Sequence, residues 1–201
     1  MNFILASKSP RRKEILETIG LRFDVVTSNA DESYDPSASP YEIVKALAEK
    51  KAIAVRDHLI GSGHDLSDTL IIAADTIVYC SGEILGKPHN KENSIKMLNS
   101  LSGKRHSVLS GISVIYRDEV KSSYDETFVK FARMTDSEIE RYAESGEPYD
   151  KAGAYAVQGY ASMWVEGIEG CYFNVVGLPV NKLRELIGEF GIELSQYAMK
   201  K

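Results

Sequence analysis

Residues 69–80, TLIIAADTIVYC, constrain this chain more than any other stretch. Leu70 to Ala74 run without a polar break, the pattern of a β-strand buried on both faces. Such a strand has to lie at the centre of a sheet, with helices covering it. Asp75 and Thr76 then interrupt the run. A buried carboxylate has to be paired, hydrogen-bonded or bound to a metal, because desolvating it alone is costly. Asp75 is therefore either a functional carboxylate or a structural one that ties down a neighbouring loop.

The rest of the chain supplies the covering elements. NFILA (2–6) reads as a short strand, and Ser9-Pro10 opens a helix in which Ile15, Leu16 and Ile19 recur at helical spacing before Gly20 stops it. A second strand is predicted at 23–27 and a polar, turn-rich loop at 28–39. Pro40 starts a helix whose apolar face carries Ile43, Val44, Leu47, Ala48, Ala52 and Val55, and 61–68 form a connection. Beyond the central strand, Ser81-Gly82 turns the chain into EILGKP, and ENSIKMLNSL forms a helix ending near Gly103. Two strands flank Arg117-Asp118-Glu119 as a hairpin. A helix with Asp136 at its cap, an irregular YDKAGAYAVQGYA, a hairpin in SMWVEGIEGCYFNVV and a last helix over 179–190 complete the pattern.

A chain of 201 residues, 43% of them apolar, is one domain over 1–201, large enough to need no disulfide. Cys80 and Cys171 lie far apart in no metal or redox spacing and read as reduced thiols. A net charge of −5 speaks against a nucleic-acid binder. The FILA segment is too short for a signal core or a membrane span, so the expected location is the cytoplasm, with no membrane and no nucleic acid among the partners. His58, His64, His89 and His106 show no metal-binding spacing, and no GxSxG context supports a nucleophilic serine.

Four polar motifs remain. LASKSPRR puts Ser7, Ser9, Arg11 and Arg12 around a strand-to-helix junction, where free N–H groups and guanidinium forks suit phosphate oxygens; the alternative is a solvated basic helix end. Asp31-Glu32 sit in the polar loop, as extra oxygen ligands for a hard cation or as two solvated acids. GKP (86–88) fixes Lys87 in a turn, without the spacing of a P-loop. DKAGAYAVQG offers Lys151 and Gln158 on irregular backbone, where the Gln158 amide could read a base edge.

Taken in order, LASKSPRR, Asp31-Glu32, AADTIV, ILGKP, LSGKRH, GEPYDKAGAYAVQG and NVVGLP resemble the Maf family of nucleotide pyrophosphatases over nearly the whole chain. The resemblance implies an elongated, two-lobed α/β fold of the Maf/ITPase-like kind. A mixed, curved central sheet would be flanked by helices, with a cleft between the lobes, in a homodimer. It implies hydrolysis of a nucleoside triphosphate to the monophosphate and pyrophosphate, with a divalent cation (Mg2+, Mn2+ or Co2+). Asp75 matches the family's proton acceptor, a carboxylate that either deprotonates water directly or holds the metal that acidifies it, and Glu32 matches a second acidic position that supports the metal. Ser7, Arg12, Lys51 and Lys87 match positions around the triphosphate. Arg11, Thr76 and Gln158 match the positions that track base preference and resemble the branch acting on dTTP and UTP, modified pyrimidine nucleotides included. The alternatives are the branch for 7-methyl-GTP and a nucleotide-binding regulator of septum formation. Ala156, where relatives often carry Gly, and a long connection at 59–69 are departures that remove no proposed catalytic group.

Overall fold

β1 (Asn2–Leu5) buries Phe3, Ile4 and Leu5 and runs parallel to both its neighbours, β2 (Asp24–Val25) and β3 (Thr69–Cys80). In register, Leu5 stands opposite Val25 on one side and Ile72 on the other. Parallel neighbours need a long crossover. Here it carries α1 (Pro10–Thr18) and α2 (Pro40–Gly61). This computed structural model describes residues 1–27 and 29–199; Ser28, at the head of the predicted polar loop, lies outside them.

Past β3 come β4 (Glu83–Leu85), antiparallel to it, and α3 (Lys91–Leu101), capped by the Asn90 side chain. β5 (Arg105–Tyr116) and β6 (Glu119–Phe131) are joined through Arg117 and Asp118, both at positive φ, as a two-residue hairpin turn requires. α4 (Asp136–Glu144), β7 (Val165–Glu169), α5 (Tyr172–Val176) and α6 (Val180–Gly188) follow. The mixed seven-stranded sheet has the order β2-β1-β3-β5-β6-β7, with β4 on β3. The α/β class and the central strand over 69–80 agree with the sequence reading.

By its contacts the chain forms two units. The first comprises Met1–Asp75, Ser110–Asp125 and Gly177–Lys201; the second comprises Thr76–Leu109 and Glu126–Val176. In the first, Ala52, Val55 and Leu59 of α2 pack on Ile4, Ile71, Ala73 and Ile115. Gly111 of β5 sets how closely α2 sits: a Cβ there would meet the Val44 carbonyl oxygen at 2.1 Å. No larger residue fits at 111 while α2 keeps its seat. In the second unit, Val78, Leu98, Val108, Val129, Phe131 and Tyr155 share a core with Ile139 and Tyr142 of α4. His106 is buried against Phe131 and Tyr155, with Nε2 2.8 Å from the Tyr155 hydroxyl, and burial lowers its pKa to about 4. It is a neutral core histidine.

Three expectations need correction. The strand expected at 23–27 is only two residues long, and both are exposed. α4 is capped not by Asp136 but by Thr135, which forms a reciprocal capping box with Glu138. The hairpin expected over SMWVEGIEGCYFNVV is a 3-10 turn, then β7 on β6, then the helix α5 in place of a second strand. In α5, Asn174 turns inward and its amide donates to Val108 O and Thr127 Oγ1, bonds that override the strand preference of YFNVV.

Candidate active site

The parallel pairing of β1 and β3 puts the carboxyl end of β1 beside the middle of β3, and the carboxyl ends of strands are where open α/β sheets present their binding groups. Ala6 N–H donates to Ile72 O at 2.7 Å, so Ser7 leaves β1 beside the stretch of β3 that leads to Asp75. Within β3, Asp75 and Thr76 are the two adjacent positions that escape full burial, and the Asp75 side chain keeps 15% of its exposure. The strand therefore resolves the conflict noted in its sequence. The carboxylate emerges where the apolar run ends, and it is paired.

Its partner is Lys51, projected from the middle of α2. Lys51 Nζ lies 2.5 Å from Asp75 Oδ1 and 2.8 Å from Glu32 Oε1. One ammonium thus holds together two carboxylates from separate segments. Asp31 and Glu32, adjacent in sequence, separate in function. Asp31 accepts from Ser33 N and Ser33 Oγ, which lowers its pKa and turns its own loop, while Lys50 Nζ donates to Ser33 O at 2.6 Å and fastens that loop to α2. Glu32 is delivered to Lys51.

Arg12, in the first turn of α1, completes the group. Its Nε donates to Gly177 O at 2.9 Å and one terminal nitrogen donates to Ser7 Oγ at 3.2 Å; Ser7 Oγ also accepts from Ser9 N. Burial lowers the guanidinium from its ordinary pKa. Asp75 opposes that shift, Arg11 adds to it and Glu32 opposes it. Arg12 is thus held in place by Ser7 and by the NVVGLP backbone, close enough to feel both acids. Ser9 begins the helix without a side-chain cap, so its hydroxyl does not fill the N-terminal donors.

A divalent cation fits these residues in one form only. Glu32 and Asp75 converge on a single cationic point, the position Lys51 Nζ takes. Among the described residues no cluster of three or more His, Cys, Asp or Glu side chains could hold a metal. That donor set cannot make an all-protein cage. It suits a hard ion that takes one or two carboxylates and fills its other positions with phosphate oxygens and water.

In the second unit, Lys87 is exposed on the turn after β4, and Gly86 O accepts from Gly153 N at 3.0 Å. The GKP and DKAG segments are therefore joined through their backbones. Lys151 turns its ammonium to Glu147 O and Asp150, closing its own loop. Gln158 is exposed on a turn closed by Gly159 N donating to Ala156 O at 3.2 Å. Thr76 follows Asp75 on β3, and Arg11 precedes Arg12 on α1. A cavity of about 650 Å3 lined by Arg56, His64, Asp68, Ile71 and Arg117 contains none of these residues.

A strand-borne carboxylate paired with an ammonium, with a guanidinium held by Ser7 and Gly177 just past the carboxyl end of β1, marks an α/β protein with a compact charged site. The model of Maf-like proteins matches residues 2–190, and the chain belongs to this family. The dTTP/UTP pyrophosphatase of Caldicellulosiruptor saccharolyticus is 46% identical over 193 residues, covering 95% of this chain and 96% of that one. The protein of the same name from Clostridium tetani is 47% identical, covering 96% and 100%. That from a Bacillus anthracis strain is 43% identical, covering 96% and 97%. Among solved structures, the Ham1 protein of Staphylococcus aureus overlaps 66% of this chain and 72% of its own, with a TM-score of 0.42 at 19% identity. No helix among the described residues is long and apolar enough to cross a membrane.

Proposed function

We propose that this enzyme hydrolyses dTTP and UTP to the monophosphate and pyrophosphate. The carrying observation is the Glu32–Lys51–Asp75 bridge beside the Ser7–Arg12 pair, in a chain nearly half identical to relatives that bear the name dTTP/UTP pyrophosphatase. Water attacks the α-phosphorus, the bond from that phosphorus to the bridging oxygen breaks, and pyrophosphate leaves with the electron pair. Asp75 accepts the proton lost by the water. Arg12 and Lys51 stabilise charge on the phosphate oxygens, with Ser7 as a hydroxyl donor and Lys87 as a further cation. Glu32 and Asp75 would hold a divalent cation (magnesium, manganese or cobalt), which when bound supplies a Lewis acid for the phosphates.

Base preference is assigned to Arg11, Thr76 and Gln158. The amide of Gln158 offers both a donor and an acceptor, matching the adjacent carbonyl and N–H of a uracil or thymine edge. The same reading puts the enzyme in the cytoplasm with its nucleotide pool, and family resemblance supports a homodimer.

A panel of nucleoside triphosphates, assayed for pyrophosphate release with and without each cation, tests the proposal. UTP and dTTP are expected to exceed ATP, GTP and 7-methyl-GTP in kcat/KM by about 10²-fold, the range accessible when buried polar groups lose their partners. Equal values across all bases would remove the assignment of the three base-reading residues. Binding without turnover under every cation would favour a regulator over an enzyme.

A further inference from the structure

Gln158 rides on a short turn that is bonded at one end and packed at the other. Tyr160 N–H donates to Glu147 Oε2 at 3.0 Å, past the C-terminal side of the turn. On the other side, the Tyr142 hydroxyl lies beside the Ala156 backbone and donates to Glu147 Oε1 at 2.7 Å. Glu147 therefore closes a ring through Tyr142, Ala156 and Tyr160, with Gln158 at its outer edge. The base of the ring is itself fixed. Tyr142 is buried in α4, Glu147 N donates to Ser145 Oγ, and Glu147 O accepts from Lys151 Nζ at 2.6 Å.

We propose that Glu147 is a positioning residue for base selection, holding the turn of residues 156–160 so that the Gln158 amide meets the base edge in one orientation. The inference rests on the reading of Gln158 as a base reader. Its chemistry requires a carboxylate, which accepts on both oxygens, whereas an amide of the same shape accepts on one and donates from the other. Two donors converge on Glu147, so an amide there accepts from only one of them and keeps the other contact only if the Tyr142 hydroxyl turns round to accept.

Gly159 shows that the chain keeps space for this carboxylate. A Cβ at 159 would lie 2.2–2.4 Å from the Glu147 carboxyl atoms, while the backbone there (φ −111, ψ −153) has negative φ and borders the extended region. A methyl at 159 displaces the carboxylate without needing a left-handed φ. Glu147→Gln and Gly159→Ala thus disturb one contact from opposite sides.

The test compares UTP with CTP, which share sugar and triphosphate and differ only at the base edge. Each variant, with Tyr142→Phe as a third, is assayed for kcat/KM on both nucleotides, alongside its thermal unfolding and a Gln158→Ala control. Glu147→Gln and Gly159→Ala are expected to lower the UTP/CTP ratio about tenfold or more, chiefly through KM for UTP, as misplacement of a positioned group does. CTP turnover should change little. Folded variants that keep the wild-type ratio, or lose UTP and CTP turnover together, overturn the proposal. So does loss of folding in all three, which would make the ring purely structural. If Gln158→Ala collapses the ratio and Glu147→Gln does not, only the positioning role fails; an unchanged ratio in Gln158→Ala removes the base-reader assignment and this inference with it.

Discussion

Asp75→Asn is expected to leave a folded protein whose turnover of UTP and dTTP is slower by about 10²–10⁴-fold, the usual contribution of a positioned general base. Asparagine preserves the shape of the side chain and one acceptor oxygen, so Lys51 still finds a partner at 75 and retains its bond to Glu32 at 2.8 Å. What disappears is the negative charge, and with it proton acceptance and half of the acidic pair. Single-turnover rates with saturating substrate and cation measure the effect, and thermal unfolding confirms the fold. A fully active Asp75→Asn enzyme would take Asp75 out of the chemistry and leave it the structural role that its strand also permits.

Arg12→Lys should lower kcat/KM by about 10–10²-fold, the worth of one or two charge-assisted hydrogen bonds. Lysine keeps the charge but not the fork that spans Gly177 O and Ser7 Oγ. Burial already lowers the pKa of the guanidinium at this position, and an ammonium deprotonates far more readily in such surroundings. Arg12→Ala goes further and leaves the Gly177 carbonyl without its donor, so a drop in melting temperature should accompany the lost activity. Steady-state kinetics of both variants separate the two effects. Wild-type kcat/KM in Arg12→Lys would reduce Arg12 to a loop anchor.

The two strongest local signals in the sequence located their elements well. The unbroken run before Asp75 fixes β3, because only a doubly covered strand tolerates it, and the Arg117-Asp118 turn fixes the β5–β6 hairpin. The segment after Trp164 was less legible. Tyr172 to Val176 consist of strand-favouring types, and what makes them helical is a side-chain bond from Asn174 to residues 47 and 66 positions away. Such contacts leave no periodic trace.

The site divides along the same line. Asp75 announces itself as a charge in an apolar strand, and Arg12 lies at a recognisable helix start. Lys51 does not stand out, since in α2 it belongs to a Glu-Lys-Lys stretch that looks like any solvated helix face; only the resemblance singled it out. Glu147 lies in the GEPYDKAGAYAVQG motif but carries no signal of its own. An acid after a helix-ending glycine is unremarkable until Tyr142 and Tyr160 are seen to meet on it.

Hydrolysis of UTP in ¹⁸O-labelled water, followed by mass analysis of both products, tests the central claim most directly. Attack at the α-phosphorus forms the new bond between water oxygen and the nucleotide, so the label is expected in UMP alone, with unlabelled pyrophosphate released in equal amount. Label in the pyrophosphate would mean attack at the β-phosphorus, and labelled inorganic phosphate with UDP attack at the γ-phosphorus; either result rules out the chemistry assigned to Asp75 here.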